Sequence, residues 1–566
     1  MFLVSCFLTG LLCLTGGELI QNGGFESSKP DHWECWGCHV YLSSQDSHSG
    51  KHSLQANGRD KSYQGPSQYI NVTTGQYYHV SAWAKLLNDL AGQDIAIHMQ
   101  YDYPDGKPEY PEVVRHQNAK TSNGWVHLVG SFPSPSRAPT KARLYFQSGP
   151  AAYVGFAVDD VSVVAEDSTG NVTTAQLNLN IDTHRKSNIT VHVSTTSGIN
   201  PADVHVHILQ TKKSFPFGTA VSAYQYNRNA AGGKYRDFIH THFNWAVPEN
   251  ALKWPAIEPQ RGHKNYRPAL DMIHGLKAHG IKVRGHNLVW SIDRYVQDWI
   301  KKLPVTELKP MVKEHIQEVM NVTHGLLEHW DVNNENLHGQ WYQTRLDEPD
   351  YNLQLFRIAN HQDPSVKLFL NDYSVVSQGW STSDYVIQAD KFKNANVGLY
   401  GMGVQCHFGN EQKPDMSIIQ SRLDTLAAAG LPIWATELDV SAQDENSRAD
   451  YYEAALRALY AHPAVEGILF WGFWDKSHWR GEKAAMVKGD NLEITAAGRR
   501  VLDLLENQWM TDETHALSSS HDPITLRGFH GDYEVHVTYQ GKELGNLKQT
   551  FILGKADYSV NINVHT

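Results

Sequence analysis

A chain of 566 residues is long enough for roughly three to five folded units, and its 41% hydrophobic and 11% aromatic content excludes disorder as its general state. The formal charge of −11, with no basic block, excludes a polyanion binder, so neither nucleic acid nor an anionic membrane is expected as a partner.

The chain opens with an uncharged, almost wholly apolar run from Phe2 to Leu14, followed by Thr15-Gly16-Gly17. This reads as a secretory signal peptide over residues 1–17, because a membrane span needs about 20 apolar residues. A secreted, extracellular protein beginning near Glu18 is expected. Cys6 and Cys13 leave with the leader, so Cys35, Cys38 and Cys406 remain. The Cys35–Cys38 spacing suits a local disulfide or half a zinc site; no second Cys or Cys/His pair accompanies it, and an oxidising compartment favours the disulfide. Cys406 is then a lone buried thiol. Sequons for N-glycosylation at Asn71, Asn171, Asn188 and Asn321 agree with secretion.

Residues 18–166 read as short alternating runs, such as 77–84 and 126–132, broken by Gly, Pro, Ser and Asn clusters. That is the pattern of an all-β sandwich. Aromatics with polar tips recur there (Trp33, Trp36, Tyr63, Tyr69, Trp83, Tyr101, Tyr103, Tyr110 and Trp125); some must be core, and any exposed ones suit the C–H faces of sugar rings. Asn22-Gly23-Gly24-Phe25-Glu26, His48 to Leu54 and Val158-Asp159-Asp160-Val161 make this region similar to the galactose-binding-like carbohydrate-binding modules attached to xylanases. The resemblance implies that Glu26 and Asp160 share a structural calcium, the alternative being solvated or salt-bridged acids.

A β-rich stretch at 167–212 and another at 525–566, after a polar linker at 511–524, each hold too few strands to bury a core, so they are expected to pair with one another. Between them, residues 213–510 alternate apolar β runs with amphipathic helical ones. Eight β runs occur, at 217–221, 243–247, 282–285, 329–332, 367–370, 401–404, 433–436 and 467–470. The expected architecture is therefore multidomain, a (β/α)8 TIM barrel flanked by all-β sandwich modules.

Polar and aromatic residues follow these runs, at the end where barrel active sites lie: Glu249, Asn250, Lys253, His286, Trp290, Asn334, Glu335, Gln405, His407, Glu437, Trp471 and Trp479. Glycoside cleavage needs two carboxyls, and Glu335 and Glu437 are the candidate pair. Trp330-Asp331-Val332-Asn333-Asn334-Glu335-Asn336 and Thr436-Glu437-Leu438-Asp439 resemble signatures of family 10 glycoside hydrolases, the endo-β-1,4-xylanases. The blocks at 248–254, 284–286, 371–373 and 471–476 match further.

The resemblance implies a retaining mechanism without a catalytic cofactor, with Glu335 as acid/base and Glu437 as nucleophile. The two carboxyls would lie ~5–5.5 Å apart with their pKa values pushed apart. His407 would orient Glu437, Asn334 would hold the 2-hydroxyl, and the remaining residues would bind hydroxyls or sugar faces. Trp290-Ser291-Ile292-Asp293 departs from the family's usual W-H-S-Q, which makes Asp293 a specificity candidate: shorter than Gln, it would admit a glucose hydroxymethyl. The expected partner is a polysaccharide, xylan first, with cellulose or mixed β-glucan as the alternative substrate and a non-catalytic glycan binder as the remote one.

Overall fold

The computed structural model describes residues 17–565 except 75, 91–92, 117–118, 136, 166–171, 229–232, 411–412 and 520–522. Residues 1–16 of the expected leader and the sequon at Asn171 lie outside the described residues. The chain divides into two units, one holding residues up to 171 with Gln378–Ile387, the other residues 172–377 and 388–566.

The first unit is built on two five-stranded antiparallel sheets. One runs in the order Glu34–Cys35, Pro66–Ile70, Lys141–Gly149, Asp94–Asp102, Glu112–His116; the other His39–Ser43, Ser53–Asn57, Phe156–Ala165, Tyr77–Leu86, Val126–Pro133. Strand Tyr77–Leu86 alternates half-buried and buried residues along its length, the period-2 pattern of a strand with one face on a core. Phe25, Leu54, Val80, Ile97, Leu144, Phe146 and Phe156 fill that core. Trp33, Tyr101 and Tyr103 are buried, whereas Trp36, Tyr63, Tyr69 and Tyr110 are exposed. Cys35 and Cys38 form a disulfide, and the sequon Asn71 is exposed.

Glu26 and Asp160 are occupied by the loop at 48–52. Glu26 Oε1 accepts the backbone N–H groups of Lys51 (2.7 Å) and His52 (3.0 Å). Asp160 takes the Ser49 hydroxyl on Oδ1 (2.8 Å) and faces His48 Nδ1 with Oδ2 (2.7 Å). Among the described residues no group of three or more His, Cys, Asp or Glu is placed to hold a metal. Both carboxylates thus clamp the loop at 48–52.

In the second unit, strand Lys186–Thr195 pairs antiparallel with Ile524–Phe529 and parallel with Tyr558–Val564. Strand Val204–Lys213 pairs with Gly531–Tyr539 and Asp512–Ala516, and Gln549–Leu553 joins Gly531–Tyr539. Ile189, Val191, Val206, Ile208, Val535, Val537 and Ile562 form a separate core. Two expectations are corrected. Part of the supposed linker is the strand Asp512–Ala516, an edge strand whose side chains are almost all exposed, so it carries no apolar alternation to reveal it. The stretch at 167–212 also contains a helix, Thr174–Arg185, capped by the Thr173 side chain and burying only Leu177 and Ile181. Arg185 at its end donates to the carbonyls of Tyr460 (2.8 Å), His462 (2.7 Å) and Val465 (2.9 Å). Asn188 donates its side-chain amide to Asp557 Oδ2 at 3.0 Å, and Asn321 is exposed on helix Val305–Val322.

The barrel consists of β1 (Phe217–Val221), β2 (Trp245–Pro248), β3 (Lys282–Gly285), β4 (His329–Asn334), β5 (Lys367–Asp372), β6 (Leu399–Val404), β7 (Ile433–Ser441) and β8 (Val465–Phe470). All eight pair in parallel, and β8 returns to β1 to close the sheet. The strands are buried on both faces, so they read as apolar runs without alternation. The helices between them show the other period: Arg267–Ala278 buries Ala269, Met272, Ile273 and Leu276 along one stripe. Among the described residues no helix is long and apolar enough to cross a membrane.

Candidate active site

Glu335 stands one residue past β4, in the left-handed region (φ 55°), with its backbone N–H donated to the Asn371 carbonyl at 2.8 Å. That turn sets its buried carboxyl between two donors: Gln405 Nε2 reaches Oε1 at 3.0 Å and Trp290 Nε1 reaches Oε2 at 2.8 Å. Burial, reinforced by the charges of Asp372 and Glu437, pushes the Glu335 carboxyl up to about 7, against the opposing hydrogen bonds.

Glu437 lies within β7. Asn371 Nδ2 donates to its Oε1 at 2.9 Å, and His407 Nε2 stands 3.4 Å from its Oε2. Burial is the largest influence and would raise its pKa, but His407, His286 and Lys253 outweigh it, so this carboxyl is held below the ordinary value. The two acids are thus driven to opposite protonation states, the pattern of an acid/base pair.

The supporting shell explains the difference. His407 Nδ1 faces Asp439 Oδ1 at 3.0 Å; burial would favour the neutral ring, but Asp439 and Glu437 push its pKa up to about 9. Asp439 lies two residues along β7 from Glu437, is fully buried, and also takes Trp479 Nε1 at 2.6 Å and Arg480 at 3.2 Å. The anchored Trp479 leaves 59% of its surface exposed, an open aromatic face fixed by its ring N–H. His286 Nδ1 donates to Asp331 Oδ2 at 2.9 Å, and its ring meets Trp471 edge-on at 5.1 Å. Lys253 bonds to Asn250 Oδ1 at 2.8 Å, with its ammonium 4.8 Å from the Trp290 ring and 5.8 Å from Trp471. Burial lowers the Lys253 pKa against the pull of Glu437, Glu249 and Glu335, and burial raises that of Glu249. Asn334 Oδ1 accepts from Asn371 Nδ2 at 2.9 Å.

The expected residues at 249, 250, 253, 286, 290, 334, 335, 405, 407, 437, 471 and 479 are linked by these contacts. Asp293 is not: its carboxylate is 70% exposed and pairs with Lys301 at 3.2 Å, which gives it a partner outside the cluster. Three contributors were not singled out as site residues. Asn371 was visible only as a strand-end polar residue, and Asp439 shares a strand face with Glu437 by the period of two. Tyr295, which stacks on Trp290 at 3.7 Å, has no sequence signal. Cys406 is a buried free thiol whose pKa burial raises, so it stays an uncharged packing group.

A family model described as "Glycosyl hydrolase family 10" matches residues 208–503, and one described as "Carbohydrate binding domain" matches residues 17–153. Two Arabidopsis thaliana proteins, Endo-1,4-beta-xylanase 2 and Endo-1,4-beta-xylanase 3, are each 32% identical over 91% of this chain. The chain spans 46% of the first and 67% of the second, about half the length of the former. Xylanase 10B from Thermotoga petrophila RKU-1, solved with xylobiose, is 26% identical at a TM-score of 0.47, covering 52% of this chain and 94% of its own.

Proposed function

The chain belongs to glycosyl hydrolase family 10, and from that premise we propose that it is a secreted, retaining endo-1,4-β-xylanase. One observation carries the reading: two buried carboxyls share one cluster with pKa values displaced in opposite directions. In the first step Glu437, charged, attacks the anomeric carbon while Glu335 gives its proton to the departing glycosidic oxygen. A glycosyl ester on Glu437 and a shortened polysaccharide result. Glu335, now ionised, takes a proton from water, whose oxygen attacks the same carbon and releases Glu437. Two inversions leave the anomeric configuration unchanged.

Asn334, Glu249, Asn250, Lys253 and His286 supply hydroxyl contacts, and Trp471 and Trp479 supply ring faces. The exposed Trp36, Tyr63 and Tyr69 support a polysaccharide-holding role for the first unit, and the disulfide supports an oxidising compartment. The test is product analysis on xylan: internal cleavage with β-configured new ends, by NMR, is expected from the native protein and is lost in Glu437→Ala. α-Configured products would overturn retention, and no release of xylo-oligosaccharides would overturn the activity.

A further inference from the structure

We propose that the cleft beside the Trp290–Tyr295 pair takes a uronic-acid side branch of the polysaccharide, with Arg294 and Lys302 receiving its carboxylate. This rests on the reading of the protein as a xylan hydrolase.

The cleft is open, with a volume of about 660 Å³, and its lining includes Gln260, Arg261, Arg294, Tyr295, Gln297 and Lys302. That size falls within the range of sugar- and drug-sized clefts, roughly 300–1,000 Å³. Its charge is uncompensated. Arg261 is paired with Glu307 at 2.9 Å, and Asp293, the neighbour that would neutralise Arg294, is taken by Lys301. Among the described residues neither Arg294 nor Lys302 has an ion-pair partner, and Asp298 is the one acid in the lining. Two uncommitted cations therefore face a single carboxylate.

The cleft is tied to the reaction centre by an unbroken run of contacts. The Arg294 guanidinium lies 4.7 Å from the Tyr295 ring centroid, Tyr295 stacks on Trp290, and Trp290 bonds to the Glu335 carboxyl. The charge of Arg294 is also felt at Tyr373, next to Asp372. A polysaccharide backbone passing Glu335 thus places its substituents beside a guanidinium held over a ring. A neutral xylose unit offers such a cation only hydroxyl oxygens, with no opposite charge. A branch sugar bearing a carboxylate gains a charge-assisted, forked hydrogen bond, with the Gln260 amide beside it for its hydroxyls.

The experiment compares kcat/KM on three matched xylo-oligosaccharides: unbranched, branched with a uronic acid, and the same branch with its carboxyl reduced to the alcohol. The native protein should prefer the acidic branch to the reduced one by about tenfold, the lower end for a hydrogen bond to a charged group because the cations are exposed. The preference should shrink at high salt. Arg294→Ala with Lys302→Ala should erase it while changing the unbranched rate less than twofold, and Arg294→Lys should keep part of it; circular dichroism and melting confirm that each variant is folded. Equal native rates on the acidic and reduced branches, or a double variant that keeps the preference, would overturn the proposal alone. Failure to cleave any of the three would overturn the xylanase reading beneath it.

Discussion

Asn371 and Gln405 hold the two acids crosswise. Asn371 accepts the Glu335 backbone N–H on its carbonyl and donates its side-chain amide to Glu437; Gln405 accepts the Glu437 backbone N–H (3.1 Å) and donates its amide to Glu335. Each residue thus fixes one acid by main chain and the other by side chain, so a shift of β5 or β6 would disturb both carboxyls together.

Alanine at either position removes one donor to a buried carboxyl and keeps the main-chain half of the link. Asn371→Ala and Gln405→Ala should each lower kcat/KM on xylan by roughly 10- to 100-fold, equivalent to about 1.5–3 kcal/mol. They should differ in pH behaviour. The Gln405 bond holds the Glu335 pKa down, so its loss should move the basic limb of the pH–rate profile upward.

The rate should fall as pH rises through about 7, where Glu335 loses the proton it must deliver. It should also fall on the acid side, below the ordinary carboxylate range, where Glu437 becomes protonated. Glu335→Gln should cost about 10²–10⁴-fold on xylan and abolish the basic limb. An aryl xyloside whose leaving group needs no proton should still be attacked by Glu437, which burst kinetics would show.

Asp293→Gln should leave the ratio of kcat/KM on xylo- and cello-oligosaccharides unchanged within twofold. The exposed carboxylate is paired with Lys301, a partner outside the active-site cluster. A shift of tenfold or more would show that residue 293 reaches the substrate.

Arg185→Ala should destabilise the protein by about 2–4 kcal/mol and lower its Tm. Three carbonyls lose a charged donor, and the guanidinium no longer lies over Phe215 and Tyr460. Xylanase activity at 25 °C should be retained, since Arg185 lies outside the active-site cluster.

Removing residues 521–566 should produce aggregation, read by light scattering. The deletion strips Ile524–Phe529, Gly531–Tyr539 and Tyr558–Val564 from strands 186–195 and 204–213, leaving Ile189, Val191, Val206 and Ile208 uncovered.

The eight barrel strands were legible because burial on both faces leaves a compact apolar run followed by a polar end, as in Lys367–Asp372. Glu335 and Glu437 were legible through the motifs around them. What escaped detection lacked an apolar signature. Asp512–Ala516 is held by main-chain bonds at an edge, and Thr174–Arg185 buries two side chains in twelve residues. The Asp293–Lys301 pair depends on a turn joining two short helical segments, which spacing along the chain does not encode. Asn371 and Gln405 show the same limit: a strand-end amide announces a polar lining, but its partners are set by the curvature of the closed sheet.

The small sandwich also has a timetable. A ribosome delivers Lys186–Thr195 and Val204–Lys213 before the barrel, and their partners at 524–564 only after it. Throughout synthesis of the barrel those two strands carry open edges, and Tyr558–Val564, the last strand among the described residues, is the one that pairs in parallel with Lys186–Thr195. Closure of that seam therefore waits on residues translated after the barrel, and a chain halted between residues 524 and 558 has all eight barrel strands made while its seam is still open.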